Sequence, residues 1–279
     1  MKPVKKIAVI HDICGVGKAA MSNIVPILSV MGIEVCQIPT MLLSTHTGGY
    51  GKPYIQVIDG YMTGCLAHYL EQNIGFDMIF VGYLGTKKRI QEVKQFLTDY
   101  REVHPDVAVI LDPIFGDNGA CYSNFTMEYV EQMRTLLSYA DIIIPNYTEY
   151  CLLFEESMDT DYNNENVVLH KWYKKLDTYD IKGAVITSIP LTNKEEIGIV
   201  ITDKDKVNLL SFKKCGKSYH GTGDIFAAVF CGAILQKDTI LSACERAHNF
   251  VVQCLEESAK YEYDKREGVI LEPLLKNLL

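Results

Sequence analysis

Residues 218–230 read SYHGTGDIFAAVF, a glycine-spaced turn and one carboxylate set directly against an apolar run. Ile225, Phe226, Val229, Phe230 and Ile234 recur at helical spacing, so the stretch predicts a buried helix that begins near Thr222. Gly221 and Gly223 then lie at its N-terminus, where glycine lets a ligand approach the backbone and the unpaired amides of the first turn attract anions. A phosphate is the natural guest. Asp224 in the same turn repels it unless the carboxylate has separate work, such as accepting a proton or holding a metal. The plainer reading is that Thr222 or Asp224 caps the helix. Taken alone, the stretch leaves both readings open.

Working outward, short apolar runs alternate with longer helical patterns. Residues 6–10, 34–39, 78–82, 107–111, 141–145 and 183–188 read as strands buried on both faces, and 18–31, 60–73, 87–103, 124–139 and 165–178 carry helical periodicity. This alternation predicts an α/β fold in three layers, a mainly parallel central sheet with helices on both faces. Residues 197–202 and 206–212, on either side of DKD, predict an antiparallel edge hairpin. Helices over 223–236 and 238–259 and a short C-terminal helix complete the pattern, and the polar run EESMDTDYNNEN (155–166) predicts a mobile surface loop. No linker divides the chain, so one domain over 1–279 is expected.

Composition narrows the functional classes. The 279 residues are 48% apolar and 22% charged, ordinary for a globular protein. A net charge of −8 argues against broad binding to nucleic acid or anionic membranes, which needs a basic face. Nine cysteines without a C-x-x-C pair, scattered through regular elements, predict reduced thiols in the cytoplasm rather than disulfides or a zinc site. No apolar run reaches membrane-spanning length, and KKIAVIHD (5–12) is interrupted by His11 and Asp12 too early for a signal peptide.

The predicted strand ends carry the polar chemistry: HDICGVG (11–17), DPIFGDNG (112–119), PNYTEY (145–150) and TSIP (187–190). Ligands of open α/β sheets bind beyond such ends. CGVGKAA (14–20) lacks both the Walker spacing and G-x-G-x-x-G, so it reads as a turn. Asp112 and Asp117 can hold Mg²⁺ directly or through water, or simply shape an Asp-Pro turn. Asn146 and Glu149 have the spacing of a helix-capping pair. THTGGYG (45–51) brings His46 and Thr47 into a glycine-rich loop, and a single such histidine is more often structural than catalytic.

Taken in order, Asp12, STHTGGYG, GYLG, DPIFGDNG, PNYTE, TS and GTGD before an apolar helix form a recognisable constellation. It resembles the pyridoxal and pyridoxamine kinases of the ribokinase superfamily over essentially the whole chain. The resemblance implies that ATP phosphorylates the hydroxymethyl group of a vitamin B6 vitamer, with Asp224 as base and the amides of Gly221, Thr222 and Gly223 as anion hole. It also implies Mg²⁺ organised by Asp112 and Glu149, with Asn146, Thr187 and Ser188 beside the nucleotide. Asp12, His46, Thr47 and Tyr83 match positions lining the pyridine pocket. A homodimer is implied as well, and K⁺ is left open as a second ion. Many relatives carry serine where this chain has Asp12, which leaves the preferred vitamer open. The residues GKSYH (216–220) give no clue to nucleotide choice.

A hydroxymethylpyrimidine kinase of the same superfamily is the nearest alternative, disfavoured by STHTGGYG and DNG. Sugar and nucleoside kinases usually insert a lid of strands for which there is little room here. A silent B6-binding protein would not need Asp224, Asp112 and Glu149.

Overall fold

The computed structural model describes residues 3–158, 165–203, 206–215 and 219–279. Residues 159–164 of the polar run, 204–205 of the DKD turn and 216–218 before the glycine turn lie outside the described residues. The element order is β1 (Lys6–Val16), α1 (Met21–Val30), β2 (Glu34–Thr45), β3 (Ile55–Val57), α2 (Tyr61–Glu71), β4 (Met78–Val81), α3 (Lys87–Val103), β5 (Ala108–Leu111), β6 (Gly116–Asp117), β7 (Ala120–Cys121), α4 (Met127–Arg134), β8 (Ile142–Ile143), α5 (Tyr147–Phe154), α6 (Glu165–Asp177), β9 (Gly183–Pro190), β10 (Glu196–Asp203), β11 (Lys206–Lys213), α7 (Thr222–Leu235) and α8 (Ile240–Ser258). The expected C-terminal helix is a 3₁₀ segment, Glu272–Leu278, with proline in its first turn. Two compact units divide the chain: residues 1–84, 95–107 and 215–279 form the first, and 85–94 and 108–214 the second.

In the first unit β1 pairs in parallel with β2 and β4, and β3 adds antiparallel to β2. Ile7, Ala8, Val9 and Ile10 have no exposed surface, as expected for a strand covered on both faces. The apolar helix α7 packs on α1 and α8. Ile225, Val229 and Phe230 are fully buried, and each such side chain contributes about 1.5–3 kcal/mol through the water it sheds.

Two boundaries differ from the sequence reading in a way that matters for the site. The first two strands run on to Val16 and Thr45, with a register shift between His11 and Ile13. Apolar periodicity stops at Ile10 because the next two residues are polar, yet His11 and Asp12 are buried within the continuing strand. Helix α1 starts at Met21 rather than at residue 18, because Gly17, Lys18 and Ala20 have positive φ and form the turn that leads into it.

In the second unit β5, β8 and β9 are parallel, and β10 and β11 close the edge as the expected antiparallel hairpin. The small hairpin β6–β7 is an addition to the sequence reading, whereas helix α5 begins where the spacing of Asn146 and Glu149 places a helix start.

Candidate active site

The first unit answers the question raised by the glycine turn. Gly221 occupies the N-cap position of α7 at φ 80°, and no side chain among the described residues caps the helix. Thr222 turns its hydroxyl back to the Tyr219 carbonyl, 3.4 Å away. Asp224 directs its carboxylate away from its own helix: Oδ2 accepts the Ala20 amide at 2.7 Å, and Oδ1 lies 3.3 Å from His11 Nε2. The capping reading is therefore replaced by a carboxylate held between two elements, beside a helix start whose amides keep their attraction for anions.

The turn from β1 into α1 is built to make that contact. Ala20 sits at φ 58°, ψ −141°, a region that costs a residue with a side chain about 1–3 kcal/mol. Several contacts hold it there. Its carbonyl accepts the first amides of α1 from Asn23 and Ile24 at 3.0 and 3.1 Å, and its amide donates to Asp224. The fully buried Asn23 side chain donates to the carbonyls of Lys18 and Gly221 at 2.7 and 3.3 Å, tying the two turns together.

Glycine has different reasons at its two positions in the turn. A Cβ on Gly221 would stand 2.0 Å from the Lys18 carbonyl oxygen, whereas one on Gly223 would meet nothing among the described residues within 4 Å. Packing therefore does not require glycine at 223, where alanine is the better helix former by about 1 kcal/mol. Gly223→Ala is expected to keep or raise the melting temperature while lowering kcat/KM for ATP roughly tenfold or more, as the methyl group fills space meant for a phosphoryl group. Unchanged kinetics would remove the amide of Gly223 from the anion site.

Asp12 is buried, with Oδ1 2.7 Å from His11 Nδ1 and Oδ2 accepting from the Cys14 thiol at 3.3 Å. Burial, with Asp12 and Asp224 nearby, pushes the Cys14 thiol far up, so it stays protonated. For His11, burial pulls its pKa down, but the two carboxylates outweigh this and raise it to about 10. His11 was missed in the sequence. Its only signal was a histidine beside an aspartate at the end of an apolar strand.

His46 is braced by the backbone. Nδ1 accepts the Gly48 amide at 3.0 Å, which leaves Nε2–H to donate to the Arg266 carbonyl at 2.7 Å. Its ring lies 4.5 Å from that of His220, centroid to centroid. Thr47 beside it is exposed, and Tyr83 packs against Cys14, Ala20, Met41 and Leu43.

The second unit gathers the other candidates at the ends of β5, β8 and β9. Asn146 and Glu149 form a reciprocal capping box on α5, as their spacing predicted. Glu149 Oε2 accepts the Asn146 amide at 2.9 Å, and Oε1 accepts those of Phe115 and Gly116 at 3.0 and 3.3 Å. Asn146 in turn donates to the Gly116 carbonyl at 2.7 Å and bridges to Thr187. Ser188 follows at φ 61°. Burial and the neighbouring charge of Asp112 hold the Glu149 carboxyl well above the usual range, against the pull of its three amide donors. Asp117 hydrogen-bonds its neighbour Asn118.

Together with a mainly parallel α/β fold, an anion-seeking helix start beside a held carboxylate is the equipment of a small-molecule kinase. The phosphomethylpyrimidine kinase family model matches residues 33–269, and the chain belongs to that family. Over 99% of its length it is similar to a Bacteroides thetaiotaomicron protein provisionally called a phosphomethylpyrimidine kinase and crystallised with pyridoxal, with 36% identity, 96% of that chain covered and a TM-score of 0.90. The pyridoxal kinase of Lactobacillus plantarum shares 29% identity at a TM-score of 0.85, with 98% of this chain and 96% of that one covered. The pyridoxal kinase of Dictyostelium discoideum is 27% identical across 82% of this chain and 78% of its own.

Proposed function

We infer that this chain, acting as one kinase domain over residues 1–279, transfers the γ-phosphoryl group of ATP to the 5′-hydroxymethyl group of pyridoxal, pyridoxamine or pyridoxine. The observation that carries the reading is Asp224, a carboxylate at the start of α7 that does not cap it. As the alcohol oxygen bonds to phosphorus and the bridging P–O bond to ADP breaks, Asp224 takes the alcohol proton. The amides of Gly221, Thr222 and Gly223 stabilise the charge on the transferring group. The names of the relatives and the pyridoxal of the Bacteroides crystal support the substrate class. The family description names a phosphomethylpyrimidine, which keeps a kinase of the related alcohol hydroxymethylpyrimidine as the second candidate. Asp12, His46, Thr47 and Tyr83 are assigned to the surround of the pyridine ring, and Asn146, Thr187 and Ser188 to the nucleotide phosphates.

Asp112 and Glu149 are assigned to Mg²⁺. Burial first, and then the charge of Asp112, disfavours the ionised form of the Glu149 carboxyl, and a divalent cation beside the two carboxylates would relieve both. Two carboxylates suit magnesium, which as a rule keeps several waters rather than taking an all-protein cage. Bound there, Mg²⁺ would neutralise phosphate charge. Glu149→Gln is expected to raise the Mg²⁺ needed for half-maximal rate several-fold at saturating pyridoxal, and the lost amide acceptor costs about 0.5–2 kcal/mol of stability. Magnesium titrations checked against melting curves test this, and an unchanged requirement counts against the assignment. The same assay titrated with K⁺ tests for a monovalent ion.

The cytoplasm is the assigned compartment, supported by nine free cysteines. Among the described residues no helix is long and apolar enough to cross a membrane. A homodimer is supported by the exposed Leu42, Tyr54, Ile55, Val57 and Tyr61 around the β2–β3 edge. Incubating the chain with Mg²⁺, ATP and pyridoxal, with the product identified by mass as the 5′-phosphate, tests the reading. Pyridoxal binding without turnover would mark a silent carrier.

A further inference from the structure

His11 has no part in the chemistry assigned so far, yet it lies between the two carboxylates of the first unit. Its ring is buried, with Asp12 Oδ1 2.7 Å from Nδ1 and Asp224 Oδ1 3.3 Å from Nε2. An ionised carboxylate only accepts hydrogen bonds, so a neutral imidazole, with one N–H, can serve one of them but not both. The Asp12 amide N–H is also aimed at Nδ1 from 2.9 Å and competes for that nitrogen with the Asp12 carboxylate oxygen at 2.7 Å, the partner that a protonated Nδ1 serves. Nε2 has no well-aligned acceptor among the described residues, and Asp224 is the carboxylate within ion-pair reach of it. Opposite the ring lie Phe80 of β4 and Gly82, the residue just beyond the end of that strand. A Cβ on Gly82 would stand 2.1 Å from His11 Cδ2 and 2.5 Å from Nε2, so the absence of a side chain there makes room for the imidazole. The charged groups acting on His11 are Asp12 from its own strand and Asp224 from α7, and the neighbouring Cys14 is held as a neutral thiol.

We propose that His11 is a positioning residue, a buried imidazolium anchored by Asp12 that holds the Asp224 carboxylate in the orientation from which it accepts the substrate proton. Asp12 thereby gains a task apart from the pyridine ring, because both of its oxygens are already engaged by His11 and Cys14. Ala20 and His11 grip opposite oxygens of Asp224, so losing either contact frees the carboxylate to rotate. The inference rests on Asp224 being the base. Its own charge state is open to separate measurement, because a histidine whose pKa is raised to about 10 from an ordinary value near 6.5 keeps both ring protons at pH 8.

The test combines ring-nitrogen NMR of the ¹⁵N-histidine-labelled full chain with the kinetics of three variants, and His11→Gln assigns the His11 signals. At pH 8 the His11 nitrogens are expected to show the imidazolium pattern. His11→Gln keeps a hydrogen-bonding side chain without the charge and is expected to lower kcat about 10²-fold, while KM for ATP moves less than about threefold. Gly82→Ala keeps every charged group but displaces the ring, and a similar fall in kcat is expected. Stability follows the same proton: the advantage of wild type over His11→Gln is fully present below about pH 6.5 and is lost as the pH rises toward 10. A neutral ring at pH 8, or both variants with wild-type kcat, overturns the inference. Asp224→Asn separates the failures. If it remains active the base assignment falls, whereas an inactive Asp224→Asn beside fully active His11→Gln and Gly82→Ala sinks the positioning role alone.

Discussion

Asp224→Asn is expected to lower kcat by roughly 10²- to 10⁴-fold while leaving the fold and ATP binding in place, the range for losing a general base. The fold should survive because Gly221, not Asp224, occupies the N-cap position of α7. An asparagine can still offer its amide oxygen to the Ala20 N–H that Asp224 Oδ2 now accepts. Its NH₂ group would then face His11 Nε2, replacing an ion pair with two opposed donors. No group at that position could then take the alcohol proton. Steady-state kinetics with a melting curve check the result, and a near-normal kcat would remove Asp224 from the proton transfer.

Gly221→Ala is expected to be the most damaging small substitution in the chain's glycine turn. Its backbone lies at φ 80°, which alone costs an alanine about 1–2 kcal/mol. The added methyl would also stand 2.0 Å from the Lys18 carbonyl oxygen and 2.7 Å from Asn23 Nδ2. Neither neighbour can retreat cheaply, since Asn23 Nδ2 donates to that carbonyl. Relief requires the turn before α1 to separate from the start of α7, and the Ala20 contact to Asp224 goes with it. The expected outcome is a loss of roughly 2–4 kcal/mol in urea unfolding together with a kcat at least 10²-fold down. Gly223→Ala, expected to lose ATP use without losing stability, is its control. A Gly221→Ala chain as stable as wild type would show that the turn is not packed as described.

These two glycines illustrate what a sequence can and cannot disclose. Helix α7 was legible because its apolar spacing is local, and so were the β10–β11 hairpin and the capping box of Asn146 and Glu149. The continuation of β1 was hidden because His11 and Asp12 look like solvent-facing residues until the partners that bury them are known. The edge strand β3 is three exposed residues and carries no burial pattern to read. Asp224 was legible as a carboxylate out of place beside a phosphate site. That it is gripped from β1 and from the turn before α1 depends on contacts between segments far apart in the chain.

The central claim is the identity of the acceptor alcohol, and the most direct measurement is ADP release at fixed Mg²⁺ and ATP, compared across pyridoxal, pyridoxamine, pyridoxine and hydroxymethylpyrimidine. The account predicts that one or more B6 vitamers gives the highest kcat/KM and that this rate disappears in Asp224→Asn. Turnover of hydroxymethylpyrimidine above every vitamer would contradict it, as would an absence of ADP release with all four.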